Sequence, residues 1–169
     1  QVPTMEELAD KLAIMDVINI HSRGVDRASA EILKSAYWPD ANVDYGGFKG
    51  SAHQFCEGLP AGIKRYMGTQ HKVSNFTIEL DGNTAKVESY VTAHHYLPVP
   101  DGLDTEMTYI GRYLDNMEKR GNVWKISFRK IVMDWHQNAV ATHDDEAPAL
   151  KPITRGGRYP EDPLFEFLG

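Results

Sequence analysis

Ala85-Lys86-Val87-Glu88-Ser89-Tyr90-Val91-Thr92-Ala93-His94-His95-Tyr96-Leu97 decides the fold, because most of its side chains alternate in character residue by residue. Alternation of this kind puts one face of a strand on a core and the other towards water. Upstream, the turn Asp81-Gly82-Asn83 joins this stretch to a strand predicted over 70–80. Downstream, a loop over 98–102 leads to strands over 105–117 and 122–135, connected at Arg120-Gly121-Asn122. Four consecutive strands with short connections read as an antiparallel meander.

The first third of the chain has the helical period instead. Thr4-Met5-Glu6-Glu7 is a capping box, and Leu8, Leu12, Met15 and Ile18 follow at helical spacing, which predicts an amphipathic helix over 5–22. Gly24 then reads as a bend. A second helix over 28–36 ends before Pro39, and a short strand over 42–45 stops at Gly46-Gly47. Ser51 caps a third helix over 52–66, with Gly58, Pro60 and Gly62 disturbing its middle. Helices first and strands after define an α+β class, with N-terminal helices on a curved, mainly antiparallel sheet. That domain spans 1–137. Residues 138–169 form a Pro-rich tail whose Leu164, Phe165, Phe167 and Leu168 need cover from the domain or a neighbouring subunit.

Composition narrows the partners. The 169 residues fit one domain, which at this size buries roughly 70% of its unfolded surface. Lys and Arg number 18 against 24 Asp and Glu, a net charge of −6, which argues against nucleic acid or an anionic membrane as partner. The single cysteine, Cys56, excludes an intrachain disulfide and any Cys-rich zinc site, and fits a reducing, cytoplasmic setting. No apolar run reaches the roughly 18 residues of a membrane helix. The seven histidines have no His-x-x-x-His or Cys-x-x-Cys partners, so no metal is expected. Dinucleotide, phosphate-loop and nucleophile-elbow motifs are missing too, so no cofactor is expected. What remains is proton transfer by His, Asp and Tyr.

Asp26 and His71 are the candidates for that chemistry. Alone, Asp26 reads as a cap for the following helix and His71 as a structural strand histidine. If the two meet, the carboxylate fixes the imidazole tautomer and leaves the other ring nitrogen to act as base. His94 and His95 are adjacent, so a regular strand sends them to opposite faces. Tyr109, Gly111 and Tyr113 share a face, and Arg129, Ile131, Met133 and Trp135 alternate onto one. His21, near the predicted end of the first helix, suits the negative end of the helix dipole when protonated.

These residues resemble those of the SnoaL-like branch of the nuclear transport factor 2-like superfamily, over about residues 5–137. The segments carrying the likeness are Gly24-Val25-Asp26, Val43-Asp44-Tyr45, Thr69-Gln70-His71, and Val123-Trp124-Lys125-Ile126 with Arg129. Scytalone dehydratase and hexachlorocyclohexane dehydrochlorinase are the most similar branches. The resemblance implies a cone-shaped α+β barrel, with Asp26 orienting His71 as the proton-abstracting base. It implies Tyr45 and Arg129 as further catalytic groups, and His21 and His94 or His95 at the pocket. Tyr109, Tyr113, Trp38 and Met133 complete the expected lining. Dimers and trimers occur among such proteins, so a homo-oligomer is expected. The sequence departs from the dehydratase at Val25, where a tyrosine is usual, and at Gly111 and Tyr113, where serine and asparagine are.

The resulting expectation is a lyase without cofactor, eliminating water, halide or a carbon fragment from a small hydrophobic cyclic or aromatic molecule. An isomerase or cyclase with the same base is the second possibility. A binding protein or oxygenase accessory subunit is the third; it requires a pocket filled by side chains, or an Asp26 that only caps a helix.

Overall fold

The computed structural model describes residues 1–169. Helix α1 (Met5–Asp26) opens on the Thr4–Glu7 capping box, with both reciprocal hydrogen bonds made. Its inward row is not the expected one. Leu8 and Leu12 are exposed, and the buried row is Ile14, Ile18, His21 and Val25. Asp10 sets this rotation. Its carboxylate takes the Trp124 Nε1–H at 2.8 Å and the Lys119 ammonium at 3.1 Å, turning the Asp10 side of the helix towards the sheet.

The helix does not bend at Gly24. It runs on to Asp26 because helix α2 (Ala30–Ser35) crosses it there: a Cβ on Gly24 would lie 2.8 Å from both Leu33 Cγ and Leu33 N. The end is a Schellman turn, with Ser29 N bonded to Gly24 O, Ala28 N to Val25 O, and Ala28 at φ 49°. Ser29 caps α2. Asp26 is therefore free of the capping duty its position in sequence suggested.

Strand β1 (Tyr37–Asp44) starts earlier than expected and contains Pro39. Its pairing with the last strand skips from Tyr37 to Asn42, and Pro39, which has no N–H to give, sits in that gap. Strand β2 (Lys49–Ser51) precedes helix α3 (Ala52–Ile63). The meander follows as β3 (Gly68–Asp81), β4 (Thr84–Leu97), β5 (Thr105–Arg120) and β6 (Val123–Val140). The six strands lie in the order β2-β1-β6-β5-β4-β3; β1 runs parallel to β6 and all other pairs are antiparallel. The sheet is not closed, and its cone is completed by the helices packed on its inner face. The main core sits at the narrow end, around Ile14, Ile18, Leu33, Tyr37, Met117 and Ile126.

One bulge alters the expected faces. Gly111 pairs with Met133 but Ile110 with Trp135, so Asp134 is an extra residue and Trp135 turns to the opposite face from Met133. After β6 the tail returns across the start of β3 and ends in a short helix, α4 (Pro163–Leu168). No helix is long and apolar enough to cross a membrane.

Candidate active site

At the wide end the inner sheet face and helix α3 leave a cavity of about 360 Å³. Phe55, Leu59 and Ile63, each four residues apart on α3, form one wall. Ala93, Met107, Tyr109, Tyr113 and Ile131 from β4, β5 and β6 form the other. Val25, Tyr45 and Phe48 complete it, so the cavity is open space rather than side-chain packing.

Two histidines break the apolar lining. His71 enters from β3, and Asp26 meets it from the last turn of α1. Asp26 Oδ1 lies 2.7 Å from His71 Nδ1, Oδ2 accepts the His71 backbone N–H at 2.9 Å, and Oδ1 also takes the Thr69 hydroxyl at 3.0 Å. A carboxylate can only accept, so Nδ1 carries the proton and the bare Nε2 is left for the cavity. Both side chains are about 10% exposed. His95 stands edge-on to His71, ring centroids 5.5 Å apart. Its Nδ1 bonds the Ala93 and Met107 carbonyls, which commits its proton there. Burial, and then the neighbouring His71, push its pKa below the usual histidine value, so it is neutral at neutral pH.

His94 turns outward, as adjacency on a strand requires. It lies 37% exposed, 3.9 Å from Glu106. Of the two histidines the cavity takes His95, and His94 does not line it.

The tyrosines divide. Tyr45 stacks on Phe55 at 4.1 Å and lines the cavity, and burial raises its phenol's pKa. Burial likewise raises Tyr109 to about 12, so both phenols keep their protons and remain donors. The Tyr109 ring lies over Gly111, where a Cβ would come within 2.8 Å of its hydroxyl and 2.1 Å of Val132 O. Glycine is therefore required where the dehydratase pattern has serine.

Four further expected pocket residues do not line the cavity. Arg129 is fully enclosed beneath the cavity floor: Asp115 takes its Nε and Nη2 at 2.7 Å each, and its guanidinium stacks on Tyr113 at 3.8 Å. Burial, the largest single influence, would lower its pKa, but the Asp115 charge and hydrogen bonds together with Tyr37 and Tyr45 outweigh it and hold the pKa well above the ordinary value. His21 is also fully buried below the floor, bonded through Nε2 to Tyr37 Oη at 2.9 Å. The helix dipole has little hold on it five residues from the end, and burial followed by the Arg129 charge drives its pKa well down. Trp38 lies outside the cavity, its Nε1 bonded to Glu118 O and its ring under Arg120. Met133 is 57% exposed and lines a separate depression beside Tyr45 and Tyr109 rather than the cavity.

The sequence missed the α3 wall, although the spacing of Phe55, Leu59 and Ile63 signals it. It also missed Thr69, Asp115 and Arg158, whose partners are remote in the chain. No group of three or more His, Cys, Asp or Glu side chains is placed to hold a metal ion.

An α+β cone whose apolar cavity is lined by a carboxylate-bound imidazole defines a class of domain built around an open pocket. More closely, the chain belongs to the SnoaL-like domain family, whose sequence profile matches residues 6–130. It is similar in structure to a proposed scytalone dehydratase of Novosphingobium aromaticivorans, with 24% identity and TM-score 0.68 over 80% of this chain and 91% of that one. It is similar to the hexachlorocyclohexane dehydrochlorinase LinA-type3 of Novosphingobium barchaimii, with 22% identity and TM-score 0.69 over 81% and 94%. These likenesses establish the fold. An uncharacterized protein of Mycobacterium tuberculosis is 27% identical over 85 residues, a match spanning 48% of this chain and 58% of that protein.

Proposed function

We propose that the protein is a lyase that removes a proton from a small, uncharged, hydrophobic cyclic or aromatic molecule and expels a leaving group. The observation that carries this is His71: its Nδ1 is held by Asp26 at 2.7 Å and its Nε2 faces a cavity without charged lining. The Nε2 lone pair takes the C–H proton. The electron pair moves into a new double bond as the leaving group departs, and Asp26 stabilises the imidazolium formed. Tyr45 and Tyr109 offer protonated phenols to developing negative charge or to the leaving group. The lining lacks Lys, Arg, Asp and Glu, which favours a neutral substrate over a carboxylate or phosphate. The named activities of the dehydratase-like and dehydrochlorinase structures are of this elimination type and support the choice.

A second reaction has its own support. His95, neutral and 5.5 Å from His71 between ring centroids, could carry a proton to another carbon, which is isomerisation. Product mass separates the two, since only elimination lowers it.

The test uses 5-nitrobenzisoxazole, a flat uncharged aromatic. Loss of its one acidic C–H proton cleaves its N–O bond and releases a coloured phenolate. The wild-type protein should open it with saturation kinetics, and His71→Gln and Asp26→Asn should not. Variants as active as wild type overturn the proposed base.

A further inference from the structure

The tail reaches the site through one side chain. Arg158 lies 132 residues beyond Asp26, yet its Nη1 donates to the Asp26 backbone carbonyl and, at 2.9 Å, to the Thr69 hydroxyl. Its Nη2 donates to the Ile63 and Tyr66 carbonyls at 3.3 and 3.1 Å. Asp26 and Ile63 are the last residues of α1 and α3, so one cation serves carbonyls at two helix C-termini, although Ile63 O also takes the Tyr66 N–H at 3.0 Å. The chain on either side of Arg158 is anchored as well. Tyr159 N bonds Arg27 O at 2.7 Å, and Arg27 pairs with Asp162, whose Oδ2 also takes Gly157 N at 2.7 Å.

The Thr69 hydroxyl is the informative atom. It accepts from Arg158, so its single proton is directed to Asp26 Oδ1, 3.0 Å away, the same oxygen that holds His71 Nδ1. Without Arg158 the hydroxyl is free to rotate and can turn its proton elsewhere. Asp26 would then lose a donor that fixes its rotamer, and His71 the partner that fixes its tautomer.

We propose that Arg158 is a positioning residue for the His71 base, acting through the Thr69 hydroxyl and Asp26, so that docking of the C-terminal tail completes the site. It rests on the base proposed above. A tail that merely covers apolar surface would leave the imidazole unchanged, whereas a tail that orients Asp26 alters it.

The experiment reads His71 directly, by ¹⁵N NMR of its imidazole in the full-length protein, alongside turnover of 5-nitrobenzisoxazole. Wild type should hold the Nδ1–H tautomer. Arg158→Gln and Thr69→Val should each average the two tautomers and lower kcat about tenfold with little change in KM, as expected for one lost hydrogen bond to a charged group. The double variant should be no worse than the worse single one, because both act on one path. Should Arg158→Gln fail to fold, Arg158→Lys keeps the charge but cannot reach all four acceptors, and should show a smaller shift of the same kind. A folded Arg158 variant with wild-type His71 signals, or a double variant whose loss is the product of the single losses, overturns the inference. Because the imidazole signals are read without substrate, they test Arg158 even where the probe is not turned over and the lyase assignment fails.

Discussion

Two aspartates face cations or imidazoles across about the same distance, and only one pair suits chemistry. Asp26 and His71 meet at 2.7 Å in the cavity wall, each about 10% exposed. Asp115 and Arg129 meet at 2.7 Å beneath the floor, both fully enclosed. The first pair spends one ring nitrogen on the carboxylate and keeps the other. The second spends Nε and Nη2 on Asp115 and leaves Nη1 without a partner, sealed from the cavity. Proximity of acid and base is common to both; an unspent atom that a substrate can reach belongs to one.

The largest expected effect breaks the comparison by its readout. His71→Gln should lower turnover of the probe by roughly 10²–10⁴-fold with only a small change in Tm. Asp115→Ala should do the reverse. It strands a buried guanidinium, which costs about 3–5 kcal/mol and lowers Tm by roughly 10 °C, while turnover per folded molecule falls far less. Thermal denaturation and steady-state rates on the same samples check both. Replacing the pair outright, with Asp115→Leu and Arg129→Met, should recover most of that stability, because a well-packed apolar pair needs no desolvation. A double variant as unstable as Asp115→Ala would mean that the pair itself holds the floor together.

Acid should act on the two buried histidines, His21 and His95. His21, beside Arg129 and Tyr37, has a folded-state pKa well below the ordinary 6.5, and His95 is lowered too. Above pH 6.5 both are neutral folded or unfolded. Below it the unfolded chain binds protons that the folded one refuses, so stability falls with pH, by up to about 1.4 kcal/mol per unit for each histidine, until the folded pKa is reached. Tm measured between about pH 7 and 5.5 should therefore drop, and His21→Leu should flatten that limb.

The smallest effect concerns the end of α1 that presents Asp26. Ala28 sits at φ 49°, where glycine is at ease. Ala28→Gly should stabilise by about 1 kcal/mol, read as a rise in Tm, and leave turnover unchanged. Asp115 needs no such turn, since β5 holds it in register with Arg129.

Much of the fold was legible because it rests on local periods. The β4 alternation and the Asp81-Gly82-Asn83 turn place β3 and β4 within one or two residues, while β5 and β6 run three and five residues past their expected ends. The rotation of α1 was not legible. Leu8 and Leu12 gave the apolar signal, but Asp10 found Trp124 and Lys119 more than 100 residues away and turned the other side inward. His71, with Asp26 behind it, His95, Tyr45, Tyr109 and Tyr113 lie at the cavity; Arg129, His21, Trp38, Met133 and His94 do not line it, because matching a position does not say which way a side chain is enclosed.

The sequence by itself determined the order of elements, the strand faces as far as the bulge at Asp134, and the pairing candidates Asp26 and His71, since each follows from spacing along the chain. Only the tertiary structure decided that Asp26 escapes its cap to Ser29, that His95 rather than His94 enters the cavity, and that Arg129 is sealed below it. It alone also brings Arg158 to Thr69. Those outcomes depend on which distant groups satisfy a buried donor or acceptor, and a buried polar group takes whatever partner the packing brings within reach.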